Sequence, residues 1–176
     1  MTETTRLKPL PGKRIVLTRT YSHPVERVWH ALTDSAALAE WLMENDFEPR
    51  VGHTFQFRTD PGPGFDGIVN CEVLELVERE RLVISWRGGP LDTRVTYSVT
   101  EVPEGTRLRV EHEGFVGVRA RLVRMILRAG LRSMLRRKLP ALLDRGEGEA
   151  GAEPIECSKR WLWLSRLFSP LLGKRS

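Results

Sequence analysis

The chain has 176 residues, 40% hydrophobic and 29% charged, with a formal net charge of +5: enough apolar material for one ordinary domain with an appendage, and too little length for two. Residues 1–13 are polar with no apolar run of signal-peptide length, and Cys71 and Cys157 form no CxxC or Cys/His cluster, so no secretory route, disulfide framework or structural zinc is expected, and a reducing, cytoplasmic setting is. The charge is uneven, since residues 1–116 carry 14 Lys and Arg against 18 Asp and Glu while residues 117–176 carry 14 against 5, which suits an anionic partner for the C-terminal end.

Arg14 to Tyr21 (RIVLTRTY) is rich in β-branched residues and predicts a first strand, stopped by Pro24. Pro24 to Leu32 places Val25, Val28, Trp29 and Leu32 at helical spacing behind a first-turn proline. A second short helix, Ala36 to Met43, can be capped by Asp34 or Ser35 and carries Leu38, Trp41 and Leu42 as its apolar stripe. From Arg50 to Phe115 the period falls to about two, and five strands fit, at about Gly52–Thr59, Gly67–Val77, Leu82–Arg87, Thr93–Glu101 and Thr106–Phe115. The breaks between them, Asp60 to Gly64, Glu78 to Arg81, Gly88 to Pro90 and Pro103 to Gly105, supply turn residues where the chain must reverse.

Val118 to Asp144 returns to helical spacing, with Gly130 weakening its middle and Pro140 able to kink it. Residues 146–154 have the Gly and Glu content of a flexible linker, and residues 155–176 form a basic amphipathic tail. The order predicts an α+β domain over residues 1–145: six antiparallel strands, two short helices after the first of them, and a last helix long enough to cover one face of the sheet.

Several pieces of this sequence appear in a recognisable order: Pro24-Val-Glu-Arg-Val-Trp29, Ala31-Leu-Thr33, Leu38-Ala-Glu-Trp41, Phe47-Glu-Pro-Arg-Val-Gly52, Phe55-Gln-Phe57, Asp66-Gly67, Glu72-Val-Leu74, Arg81-Leu-Val-Ile-Ser-Trp86, Gly105-Thr-Arg-Leu108 and His112-Glu-Gly-Phe115. The set resembles the START-like SRPBCC superfamily, which includes polyketide cyclase-like proteins, and most closely its heat-shock-protein ATPase activator homologue-like branch. The match spans residues 14–115 and extends along the last helix to about 144. The resemblance implies a helix-grip fold, a curved sheet wrapped around the C-terminal helix with room for a hydrophobic ligand. Gly130-Leu131 stands where relatives often show Gly-Trp, and the tail lies outside the resemblance.

Alternation puts His112 on the inward face of the last strand, as a cavity-floor donor or general base in one reading and a satisfied core histidine in the other. The same parity groups Phe55 with Phe57, Val69 with Cys71, Trp86 with Ile84, and Thr93 with Val95 and Tyr97. With Leu131 and Leu135 from the helix these form the candidate ligand cavity, apolar with a few polar tips; a filled core is the alternative. Arg58, Asp60 and Asp66 surround a Gly/Pro-rich loop that is either a gate or a solvated turn. No HExxH, DxDxDG, GxSxG or Walker-type motif is present, so neither a metal nor a cofactor is expected, and catalysis by His112 and Tyr97 is a lesser alternative.

Arg121, Arg124, Arg128, Arg132 and Arg136 recur every three or four residues, a cationic face expected opposite the apolar stripe and open to phosphates or an acidic protein. In the tail, Trp161, Trp163 and Phe168 stand among cations, as in an interfacial membrane helix or a segment folded back on its own domain. Together these readings favour non-enzymatic binding of a hydrophobic small molecule or lipid, with peripheral membrane contact. A co-chaperone-like module docking an acidic protein is the alternative, and nucleic acid is disfavoured because the basic helix lacks interleaved aromatics.

Overall fold

The computed structural model describes residues 7–62 and 64–145. The elements run β1 (Lys13–Tyr21), α1 (Val25–Thr33), α2 (Ser35–Trp41), β2 (Glu44–Asn45), β3 (Thr54–Arg58), β4 (Ile68–Val77), β5 (Arg81–Gly88), β6 (Leu91–Val102), β7 (Gly105–Phe115), α3 (Gly117–Ser133), a π-helical turn (Met134–Lys138) and α4 (Leu139–Asp144). The strands form one antiparallel sheet in the order β1-β7-β6-β5-β4-β3-β2. This is the α+β helix-grip arrangement, with one strand more than the six expected. The addition is the two-residue β2, which pairs Glu44 with Arg58 and Asn45 with Phe57.

Turn chemistry sets the meander. Gly89 takes a φ of +54° between β5 and β6, and Gly105 a φ of +126° after Pro103-Glu104. A side chain at Gly105 would run into the Tyr21 carbonyl, its Cβ only 2.2 Å from that oxygen, so β7 can lie this close to the end of β1 only with glycine there. Beside the Pro-Gly-rich loop, the Asp66 carboxylate accepts from the Ile68 N–H at 3.0 Å, and Arg58 lies 3.6 Å from Asp46.

The two short helices close one end of the grip. Asp34 is the cap of α2, accepting from the Ala37 N–H at 2.8 Å, and Trp41, fully buried, donates its indole N–H to the Ala31 carbonyl at 2.8 Å, tying α2 to α1.

Proline chemistry shapes the long helix. The N–H of Leu139 bonds back to Met134, and Pro140 has no N–H to offer, so the Leu135 carbonyl has no partner within the helix. Tyr21 supplies one, its hydroxyl donating to Leu135 at 2.8 Å. Burial pushes the Tyr21 phenol well above its ordinary pKa, so it remains a donor. The kink expected at Pro140 is therefore a π-turn that ends two residues before it, pinned to β1 through Tyr21. Beyond it Leu139 and Leu143 are 0 and 2% exposed.

Candidate functional site

Register establishes which side chains share the concave face. Phe55 pairs with Cys71 and Phe57 with Val69; Ile84 pairs with Val95, Leu82 with Tyr97 and Trp86 with Thr93; Val95 also faces His112 across β6 and β7. Directly paired residues of antiparallel strands point to the same side, and all of these are buried. The ten cavity residues expected from the sequence are thus brought together, except that Leu131 is half-buried where Leu135 is 2% exposed.

Their rings form a continuous ladder across the grip. Ring centroids are separated by 5.1 Å from Phe47 to Phe55, 5.3 Å to Phe57, 5.5 Å to Trp86, 5.5 Å to His112 and 4.6 Å to Phe115, spacings at which edge and tilted contacts are favourable. These rings and the leucines above them take up the interior. A void of about 10 Å³ remains, lined by Leu32, Leu38, Phe47, Phe55, Phe57, Leu82, Ile84 and Tyr97. That is room for roughly one water, so the grip is filled where α1 and α2 meet the sheet.

The polar tips within it are neutral, and Thr93 and His112 are engaged with each other. The Thr93 hydroxyl donates to the Trp86 carbonyl at 3.0 Å and lies 2.8 Å from His112 Nε2. With its one proton committed, the hydroxyl accepts from His112, which places the imidazole proton on Nε2. Burial holds the His112 pKa down to about 3; it pushes the Cys71 thiol up to about 12 and the Tyr97 phenol above its ordinary range. A neutral imidazole that resists protonation is a poor base near neutrality, so the geometry suits an apolar floor with one hydrogen-bonding tip better than acid–base chemistry.

The N-terminal half of the long helix is placed differently. α3 contacts β1 and β7 at the edge of the sheet and buries Ala120 alone outright. Arg121, Arg128, Arg132 and Arg136 are exposed, whereas Arg124 is half-buried with Nη1 3.5 Å from the Arg14 carbonyl. The arginine face therefore lies beside the apolar contact face, over β1, and not opposite it as the spacing predicted; the cause is that α3 rests on the sheet edge. Arg19 meets it from below, on the inward side of β1 between Leu17 and Tyr21, with its guanidinium 5.9 Å from the Tyr21 ring centre. Arg19, Arg124, Arg128, Arg132, Arg136 and Arg137, with Met125, Ala129 and Ser133, line an open groove of about 730 Å³. Arg121 is not among its walls. Sequence reasoning missed Arg19, although it shares the parity of Ile15 and Tyr21.

The outer side of α3 is apolar. Val118, Leu122 and Met125, spaced four and three residues apart and so on one side of the helix, are 81, 42 and 64% exposed, and Val116 just before the helix is 61% exposed. Trp161, Trp163 and Phe168 lie outside the described residues. Among the described residues no helix is long and apolar enough to cross a membrane, and no group of three or more His, Cys, Asp or Glu side chains could hold a metal ion.

Residues 22–144 match the family model described as Activator of Hsp90 ATPase homolog 1-like protein. No curated protein matches the chain. Among solved structures, protein MLL2253 from Mesorhizobium loti is 36% identical with a TM-score of 0.69, the alignment covering 77% of this chain and 99% of that one. Protein CV1439 from Chromobacterium violaceum is 26% identical with a TM-score of 0.63, covering 77 and 100%. DynU16, a protein in the dynemicin biosynthetic locus, shares the fold at 24% identity and a TM-score of 0.64, over 77% of this chain and 49% of its own. With that model spanning most of the chain and the helix-grip sheet in place, the chain belongs to the Activator of Hsp90 ATPase homolog 1-like family of START-like domains.

Proposed function

We propose that this protein is a non-enzymatic binding domain that holds a hydrophobic small molecule or lipid between its sheet and α3, and does so at an anionic membrane surface on the cytoplasmic side. The carrying observation is how α3 is seated: it buries Ala120 and leaves Val118, Leu122 and Met125 in solvent beside a row of arginines. A helix with more apolar surface than its sheet uses, flanked by cations, is built to lie in a lipid interface. Lifting α3 would uncover the β1–β7 edge of the sheet, where the aromatic ladder ends at His112 and Phe115, while Leu135, Leu139 and Leu143 keep the rest of the helix anchored. Each arginine near anionic lipid contributes about 1 kcal/mol, so the contact is reversible and weakens with salt.

Sedimentation with phosphatidylglycerol vesicles at low salt tests the reading. Full-length protein should co-sediment, and should do so less with phosphatidylcholine vesicles or when Val118, Leu122 and Met125 are all replaced by Ser. Equal sedimentation of the triple variant would sink the membrane half. Native mass spectrometry with solvent extraction tests the ligand half, where a releasable apolar adduct is expected. A second reading comes from the family description, which names an Hsp90 ATPase activator homolog: the same apolar and basic surface suits an acidic protein partner. A stoichiometric protein complex without vesicle binding would favour it.

A further inference from the structure

Six guanidinium groups line the groove between β1 and α3, and among the described residues none of Arg19, Arg124, Arg128, Arg132, Arg136 or Arg137 forms an ion pair with a carboxylate. Arginine cannot relieve such crowding by losing a proton. Two of the six carry a further cost: the Nε atoms of Arg19 and Arg124 are closed off from solvent and have no hydrogen-bond acceptor among the described residues. They come from different elements, a strand and a helix, whose approach created the groove. A buried, charged donor without an acceptor is costly, and no described residue offsets that cost here.

We infer that this groove is a binding site for a phosphate monoester or diphosphate group, which completes the hydrogen bonding of Arg19 and Arg124 and neutralises the arginines around it. Several features select that chemistry. A guanidinium presents a planar fork that matches phosphate oxygens two at a time, and six cations call for a ligand with more than one negative charge, which a monocarboxylate lacks. The arginines from Arg124 to Arg136 span roughly 18 Å of helix at about 1.5 Å per residue, longer than one phosphate and suited to a diphosphate or to a phosphate attached to a larger body. A volume of about 730 Å³ is ligand-sized, and Met125 and Ala129 give an apolar patch against which such a body can rest. The site shares its arginines and Met125 with the surface proposed above to meet anionic lipid, but binding in it needs neither membrane contact nor opening of the grip.

Inorganic pyrophosphate is the direct probe, with full-length protein at low salt. Calorimetry should show saturable binding, and thermal melting an upward shift with pyrophosphate. Arg19→Gln and Arg124→Gln should each weaken binding about tenfold or more, the scale of losing one charge-assisted pair, whereas Arg121→Gln, the same charge change outside the groove, should weaken it less than about threefold. Without pyrophosphate the first two variants should melt at or above the wild-type temperature, because each removes an uncompensated buried donor; this separates loss of the site from loss of the fold. Arg19→Lys and Arg124→Lys, which keep the charge but not the fork, should also bind weakly. No binding by the wild type, or equal weakening by Arg121→Gln and Arg124→Gln, would overturn the site and leave only a diffuse basic surface. Vesicles identify the source of the group: a preference for phosphatidic acid over phosphatidylglycerol at matched surface charge, competed by pyrophosphate, assigns it to a lipid headgroup, and pyrophosphate binding without that preference assigns it to a soluble ligand.

Discussion

After Ser133 the long helix sinks Leu135, Leu139 and Leu143 into the core at 2, 0 and 2% exposure, whereas before it α3 buries Ala120 and holds Val118 and Met125 at 81 and 64%. Residues 117–133 carry three leucines and five arginines and rest on a sheet edge, whereas residues 134–144 carry four leucines and two arginines and are fastened to α1 and α2. The difference separates two tasks. The C-terminal half builds the domain, because removing it would empty the grip; the N-terminal half has surface to spare, and surface that folding does not use is available for binding.

Leu139→Ala should destabilise the protein by about 2–5 kcal/mol, the range for emptying a fully buried leucine site, while Met125→Ala should change stability by less than about 0.5 kcal/mol. Urea denaturation of both variants measures the contrast. A comparable loss from Met125→Ala would mean that α3 is seated as firmly as the rest of the helix and that the division made above is wrong.

The aromatic ladder sharpens the same contrast through pH. An unfolded histidine takes up its proton near pH 6.5, while the folded protein keeps His112 neutral down to about 3. Between those values the unfolded chain binds the extra proton, so the His112 contribution is fully present above pH 6.5 and is lost progressively as pH falls, by up to about 1.4 kcal/mol per pH unit. His112→Gln, which retains an amide donor for Thr93, should flatten the pH dependence of the melting temperature between pH 6.5 and 4. An unchanged slope would show that His112 is not closed off from solvent. The smallest of the three effects concerns the junction of the halves: Tyr21→Phe removes the donor to the Leu135 carbonyl and should cost about 1 kcal/mol. Amide hydrogen exchange should rise in the π-turn and α3 and stay unchanged in β3 to β5.

Much of this was legible in the sequence wherever period alone decides. Strand parity put Phe55, Phe57, Cys71, Trp86, Tyr97 and His112 on one face, and register bears that out. The turns after β5 and β6 fell where Gly and Pro required them, whereas the turn between β4 and β5 has neither and puts Arg79 at a φ of +58°. Three features were not legible, for separate reasons. β2 is two residues long and exists through its pairing with β3, and two residues carry no period. Parity names the face on which a ring lies but not how rings nest, so the remaining space of about 10 Å³ could not be foreseen. The arginine face was placed opposite the apolar stripe because a helical wheel assumes a helix lying over the middle of its sheet; α3 lies over the edge strand instead. Arg19 was available to the same reasoning, as a charge in phase with Ile15, Leu17 and Tyr21, an exception that marks a site.

The π-turn has a consequence for how the family can change. One additional residue per turn shifts the angular phase of everything upstream relative to everything downstream, so the helix is divided into two stretches whose outward faces are set separately. With Tyr21 holding the junction, substitutions before Ser133 can recolour the outer surface, from apolar to acidic or from arginine to serine, without disturbing the leucines that anchor the domain. Related domains can in this way acquire new binding preferences on α3 while inheriting the same grip, and diversity among them should be concentrated in the one helical stretch that the sheet does not hold.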